Sequence, residues 1–189
     1  MKRVSDLKIT TKEGFHIKNL QRFPSMEYGE DGGLKADIYY NRNLIGTLFN
    51  AGDGGCARMD FTEYGRKNLG TLKVAALSFV KRCDRDWDKY DFLKDKNASA
   101  FDDDDWEALV ITIEQRYDDV KTIKQSFRKG YKSVCIISND VERQYIAYKV
   151  DGVTLDEVLN YIKRRGLDKT YPYHSGLFLA SMPEFLEVM

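Results

Sequence analysis

Two histidines, three cysteines and a formal net charge of zero mark this 189-residue chain, and each scarcity removes a class of chemistry. His16 and His174 are its whole supply of imidazole. Catalysis by a Ser or Cys nucleophile needs a base beside it, and the adjacency of His174 and Ser175 along the chain does not establish that geometry. Cys56, Cys83 and Cys135 are scattered and form no CxxC pair. Zinc-like spacing is therefore missing, and the thiols read as reduced, small hydrophobic groups of a cytosolic protein. Thirty Lys and Arg cancel thirty Asp and Glu, which removes the overall positive field of a general nucleic-acid binder. No run approaches the roughly 18 apolar residues of a spanning helix. Lys2-Arg3 has no apolar segment behind it, so no secretory signal is expected. The expectation is a cytoplasmic protein with no catalytic residue, no metal and no cofactor.

The signatures of phosphate chemistry are missing as well. Gly52-Asp53-Gly54-Gly55 is the nearest approach to a phosphate cradle, but Cys56-Ala57-Arg58 follow it. A P-loop needs GxxxxGK[ST], because its lysine and hydroxyl serve phosphate and magnesium, and the dinucleotide pattern GxGxxG fails at Ala57. The segment reads as a turn whose glycines supply positive φ. Asp84, Asp86, Asp88 and Asp95 imitate a calcium loop. Lys89 stands where the sharp turn needs Gly, and Asp95 where a longer Glu should bind bidentately. They read as a solvated charged surface. A PD…(D/E)xK nuclease pattern is also absent, since Arg143-Gln144 follows Glu142.

What is present is a core. The chain is 42% hydrophobic and 13% aromatic, with twelve Tyr, a residue suited to half-buried and partner-binding surfaces. Leu7–Thr10 and Phe15–Lys18 alternate apolar and polar around the turn Lys12-Glu13-Gly14. Leu34, Ala36, Ile38 and Tyr40 share one strand face, and Leu44 to Phe49 returns after the turn Asn41-Arg42-Asn43. Helical spacing then predicts a helix over Tyr64 to Cys83 and a longer one from Asp102–Asp105 to a C-cap at Gly130. Lys132–Ser138 and Gln144–Val150 read as a second hairpin. Thr154 and Glu157 form a capping box opening a third helix that ends at Gly166. An apolar patch, Leu177-Phe178-Leu179, lies in the tail. The fold class is α+β: an N-terminal antiparallel β-sheet, central helices, a second β-hairpin and a C-terminal helix. The β region covers residues 1–63 and the helix-hairpin-helix region 64–189, as one compact domain or two closely packed subdomains.

Charge is concentrated in three places. Asp102 to Asp105 offers carboxylates for a metal-dependent nuclease, although four consecutive acids on a helix cannot all face one metal. At a helix start they more simply cap N–H groups and complement the dipole. From Lys81 to Glu107, ten acids stand against six bases with two Trp, one Tyr and two Phe interleaved. Such a surface can imitate nucleic acid in a cationic groove; its plainer use is a solvated linker. The interface residues are Asp84, Asp86, Trp87, Asp88, Tyr90, Asp91, Asp102 and Asp103. Arg116, Lys121, Lys124, Arg128, Lys129 and Lys132 form a basic run, interrupted by Asp118 and Asp119, in which Lys121, Lys124 and Arg128 share a helical face. Lys163-Arg164-Arg165 ends the third helix. These cations suit phosphate, or simply a helix C-terminus.

The stretch Ala36 to Cys56, ADIYYNRNLIGTLFNAGDGGC, resembles small accessory proteins of phages and conjugative elements. There a strand, a short Asn/Gly turn, an Ile-Gly strand and a G-x-G-G-C loop recur. The resemblance implies a mobile-element accessory protein, with anti-CRISPR inhibitors among the family members, acting by binding. The expectation is a non-enzymatic inhibitor that docks on a host protein or protein–nucleic-acid complex, such as a CRISPR effector. The alternatives are the nuclease and a nucleic-acid-binding module using the basic helix end.

Overall fold

The computed structural model describes residues 2–3, 11–24, 32–53, 55–84, 97–139 and 143–181. The expected strand at Leu7–Thr10 lies outside them, as do Asp86, Trp87, Asp88, Tyr90, Asp91 and Asp95. The α+β class is as expected. The chain forms two compact units, one of Met1–Arg82, Phe92–Tyr117 and Met189, the other of Cys83–Asp91 and Asp118–Val188. The division therefore does not fall at residue 63, because the helices after it close the core of the N-terminal sheet.

The first unit is a five-stranded antiparallel sheet in sequential order: β1 (Lys2–Arg3), β2 (Phe15–Arg22), β3 (Leu34–Tyr40), β4 (Asn43–Asn50) and β5 (Arg58–Phe61). Tyr40 pairs with Asn43, so the β3–β4 turn has two residues rather than three. Asn41 and Arg42 both have positive φ, 52° and 95°, the requirement of a hairpin turn whose twist matches its strands. One sheet face is apolar. Phe15, Ile17, Leu20, Leu34, Ala36, Ile38, Ile45 and Leu48 have no exposed surface.

Two bulges keep that face in phase. Between Lys18 and Gln21, β2 takes three steps against two on β3, so Leu20 instead of Asn19 turns inward. Asn19 takes the strain at φ 51°. On β4, Gly46 faces Ile38 while Leu44 faces Tyr39. Ile45 is the extra residue, and it joins Leu48 in the core although the two are three apart. Strict alternation would have put one of each pair in water.

The helices are α1 (Glu63–Lys67), α2 (Leu69–Asp84) and α3 (Asp103–Arg128). The helix expected over Tyr64 to Cys83 is interrupted at Asn68, whose side-chain amide donates to the Tyr64 carbonyl at 2.9 Å, a local competitor to the helical ladder. Gly65 of α1 lies so close to β4 that a Cβ there would meet the Ile45 carbonyl oxygen at 2.0 Å. Trp106 of α3 is fully buried. Its ring meets Phe101, Phe61 and Phe15 edge-on, with centroids 5.0, 5.8 and 6.3 Å away. Such pairs each add about 0.5–1.5 kcal/mol beyond area burial.

The second unit has a three-stranded antiparallel sheet in the order β7 (Arg143–Tyr148), β6 (Ser133–Ser138), β8 (Tyr173–Leu179). The expected hairpin is therefore part of a larger sheet, and the apolar patch in the tail is the end of β8. Every residue of central β6 is buried. Val134 and Ile136 pack with Ile123 and Phe127 of α3; Cys135 and Ile137 pack with Val158 and Ile162 of α4 (Leu155–Arg164). A strand covered by a helix on each face should read as a continuous apolar run, as KSVCIIS nearly does. β8 reaches register through a bulge at Ser175-Gly176. There the Ser175 hydroxyl accepts the Ile136 N–H at 3.1 Å, and Gly176 sits at φ 78°, where only glycine is unstrained.

Both expected caps form. Tyr131 N–H donates to Ser126 and Gly130 N–H to Phe127, the paired bonds of a Schellman motif. Thr154 and Glu157 make a reciprocal capping box. The two hydrogen bonds from Thr154 hold the Glu157 carboxyl below its ordinary pKa.

Candidate functional site

The four aspartates opening α3 hold the first unit together. Asp102 Oδ1 accepts from Asp105 N at 3.2 Å, and Asp105 Oδ2 accepts from Asp102 N at 2.7 Å, a capping box made of two aspartates. Asp103 Oδ2 accepts from Met59 N at 3.0 Å and Asp104 Oδ1 from Ala57 N at 3.2 Å. These two N–H groups lie at and just before β5, the last strand of its sheet. An open edge offers such groups to other chains, and here two carboxylates take them. Further along α3, Glu107 accepts from Asn50 Nδ2 at 2.9 Å through both oxygens, and Asn50 Oδ1 accepts from Gly52 N at 2.8 Å. Glu114 pairs with Arg22. Side chains thus hold the residues after β4, with Gly52 at φ 72° and Asp53 accepting from Gly55 N–H.

Of the acidic-aromatic residues expected at an interface, Asp84 ends α2 and Asp102 and Asp103 belong to the α3 start just described. The other five lie outside the described residues. Among the described residues, no group of three His, Cys, Asp or Glu is arranged to hold a metal ion.

The basic run occupies the second unit and has a different character. Lys121, Lys124, Arg128, Lys129 and Lys132 are all exposed, and among the described residues none of them enters an ion pair. From Lys121 to Asn139 the chain carries these five cations and no acid. Tertiary contacts extend the surface. Lys149 Nζ stands 5.3 Å from the centre of the Tyr131 ring. The Lys132 N–H bonds the Tyr148 carbonyl at 2.6 Å. The Tyr148 ring meets Tyr161 of α4 edge-on at 6.2 Å, and the Arg165 guanidinium lies 5.6 Å from the Tyr161 ring. Tyr131 and Lys149 thus stand beside the first basic run, while Tyr148, Tyr161 and Arg165 lie on the face of the sheet that α4 covers. Lys149, Tyr148 and Tyr161 were not picked out by sequence spacing; their one signal was tyrosine abundance near cations.

Two other features of this unit are structural. A pocket of about 200 Å³ is lined by Asp118, Asp119, Thr122, Ile136, Gln144 and Tyr145, below the roughly 300 Å³ at which small-molecule sites begin. Burial pushes the Cys135 thiol up to about 11, so it stays protonated and unreactive near neutrality. Cys56 is exposed.

Fold and site together define a two-unit α+β protein that carries a basic, tyrosine-bordered surface. No family model matches the chain, and no curated protein or solved structure matches it significantly. No helix among the described residues is long and apolar enough to cross a membrane.

Proposed function

We propose that this chain is a non-enzymatic binding protein whose working surface takes the phosphates of a nucleic acid, free or held in a nucleic-acid-handling complex. The observation that carries it is the row of exposed cations Lys121, Lys124, Arg128, Lys129 and Lys132, none of them in an ion pair among the described residues, with Tyr131 and Lys149 beside it. Unpaired cations beside aromatic rings suit a flexible polyanion, since phosphates take the charge and bases take the rings. Neutrality of the whole chain is no obstacle, because residues 121–139 carry five cations and no acid.

On the resemblance of residues 36–56 to mobile-element accessory proteins, we place the partner among host defence complexes, CRISPR effectors included, with inhibition as the outcome. The nuclease alternative is weaker, because Asp103 and Asp104 hold backbone N–H groups and Asp102 and Asp105 cap a helix.

Fluorescence anisotropy with a labelled single-stranded 20-mer tests the binding surface. Five phosphate contacts should give a log–log salt slope of about −3.5 for a single strand, at roughly 0.7 per contact. Lys121→Glu with Lys124→Glu and Arg128→Glu should cut the slope by about 2 while far-UV circular dichroism is unchanged. An unaltered affinity in the triple variant would overturn the assignment.

A further inference from the structure

We infer that the solvent face of the first unit's sheet is a second nucleic-acid contact, a stacking platform for single strands centred on Phe49; it takes the partner class from the proposed function but rests on different residues. Strand register assembles it. Lys35 of β3 faces Phe49 of β4, and Phe49 faces Arg58 of β5. All three are exposed, while Ala36, Leu48 and Met59, one residue along on each strand, are buried. Phe49 is thus an aromatic ring, 44% exposed, with a cation on each neighbouring strand. Strands lie about 4.8 Å apart, so both cations stand within reach of a phosphate whose base rests on the ring. Phe23 meets Phe49 edge-on at 6.0 Å and widens the apolar spot.

The same face repeats the arrangement farther along. Four residues beyond Lys35 on β3, or about 14 Å, Tyr39 stacks on His16 with centroids 5.0 Å apart, and Lys18 Nζ stands 4.8 Å from the tyrosine ring centre. Two carboxylates stand between these sites, each already engaged by a neighbour. Asp37 accepts from Asn19 and Thr47, each at 2.7 Å. Asp60 pairs with Arg58 at 3.0 Å with both side chains mostly exposed, a class of pair that contributes little and exchanges readily. Phe49 and Phe23 together form an apolar spot flanked by two cations, the combination of ring and charge that single-strand binding surfaces use. Base–aromatic stacking supplies affinity without demanding sequence.

The experiment uses the full chain and a labelled dT 12-mer carrying 5-iodouracil. Photo-crosslinking followed by peptide mapping should mark the peptide holding Phe49. Phe49→Ala should weaken binding roughly 5- to 150-fold, the range of one lost stacking contact. Phe49→Tyr, which keeps the ring, should restore it. If Phe49→Ala binds as wild type while the Lys121/Lys124/Arg128 variant loses binding, the platform is wrong and the helix surface stands. If only Phe49→Ala loses binding, the platform stands and the helix surface falls. An oligonucleotide that binds neither overturns both.

Discussion

Cys135 shows how one side chain reports its surroundings. It lies on central β6 with no exposed surface, packed among Ile137, Val158, Ile162 and Tyr171. Burial disfavours the thiolate, which raises its pKa from 9.0 to about 11. Because the folded pKa exceeds the unfolded one, the linked stability is complete below pH 9 and is lost as pH climbs toward 11, where the unfolded chain releases a proton that the folded chain retains. A shift of this size corresponds to roughly 2–3 kcal/mol. Denaturant midpoints measured from pH 8 to pH 11 should therefore fall more steeply for wild type than for Cys135→Val; parallel curves would show that the thiol is not held protonated. The cysteine's place in a buried run was legible, since KSVCIIS has no polar residue between its serines. The allocation of Val134 and Ile136 to α3, and of Cys135 and Ile137 to α4, needed the sheet.

Among the elements, α3 joins the most distant parts of the chain. Its apolar stripe and its Gly130 ending could be read from spacing alone, because both depend on neighbours within a turn or two. Its first four carboxylates could not be apportioned that way. A run of aspartates is compatible with a cap, a metal or an interface, and only β5, more than 40 residues earlier, reveals that two of them close a sheet edge. Asp103→Ala and Asp104→Ala should each destabilise the protein by about 1–3 kcal/mol, the effect of leaving a backbone donor without a charged acceptor. Urea unfolding would measure this, and losses below about 0.5 kcal/mol would argue against the edge role. Incubation with labelled DNA and magnesium should meanwhile show no cleavage in wild type that either substitution removes.

At the scale of the whole molecule, one continuous helix serves two units: α3 belongs to the first through Tyr117 and to the second from Asp118. A helix shared in this way should couple their unfolding. Asp118→Pro removes a backbone donor and clashes with the preceding turn, at a cost of about 3 kcal/mol or more. Hydrogen exchange read by mass spectrometry should show strands β2–β4 and β6 losing protection together in wild type and separately in Asp118→Pro. Joint loss in the variant would mean that coupling does not pass through the helix. The unit boundary was hidden from composition because no proline- or glycine-rich linker marks it; the division falls inside a regular helix.

The amino-acid sequence by itself determined the α+β class, the β3–β4 hairpin, the caps at Gly130 and Thr154, and the cations of the α3 end. All of these follow from periodicity and short-range hydrogen bonding, which act over a few residues. Tertiary structure alone decided that the tail supplies β8, that Asp103 and Asp104 close an edge, that Lys149 stands over Tyr131 and Arg165 over Tyr161, and that Lys35, Phe49 and Arg58 stand in a row. Strand partners are chosen by which faces can be buried together. That choice is made between segments tens of residues apart, beyond the reach of any local pattern.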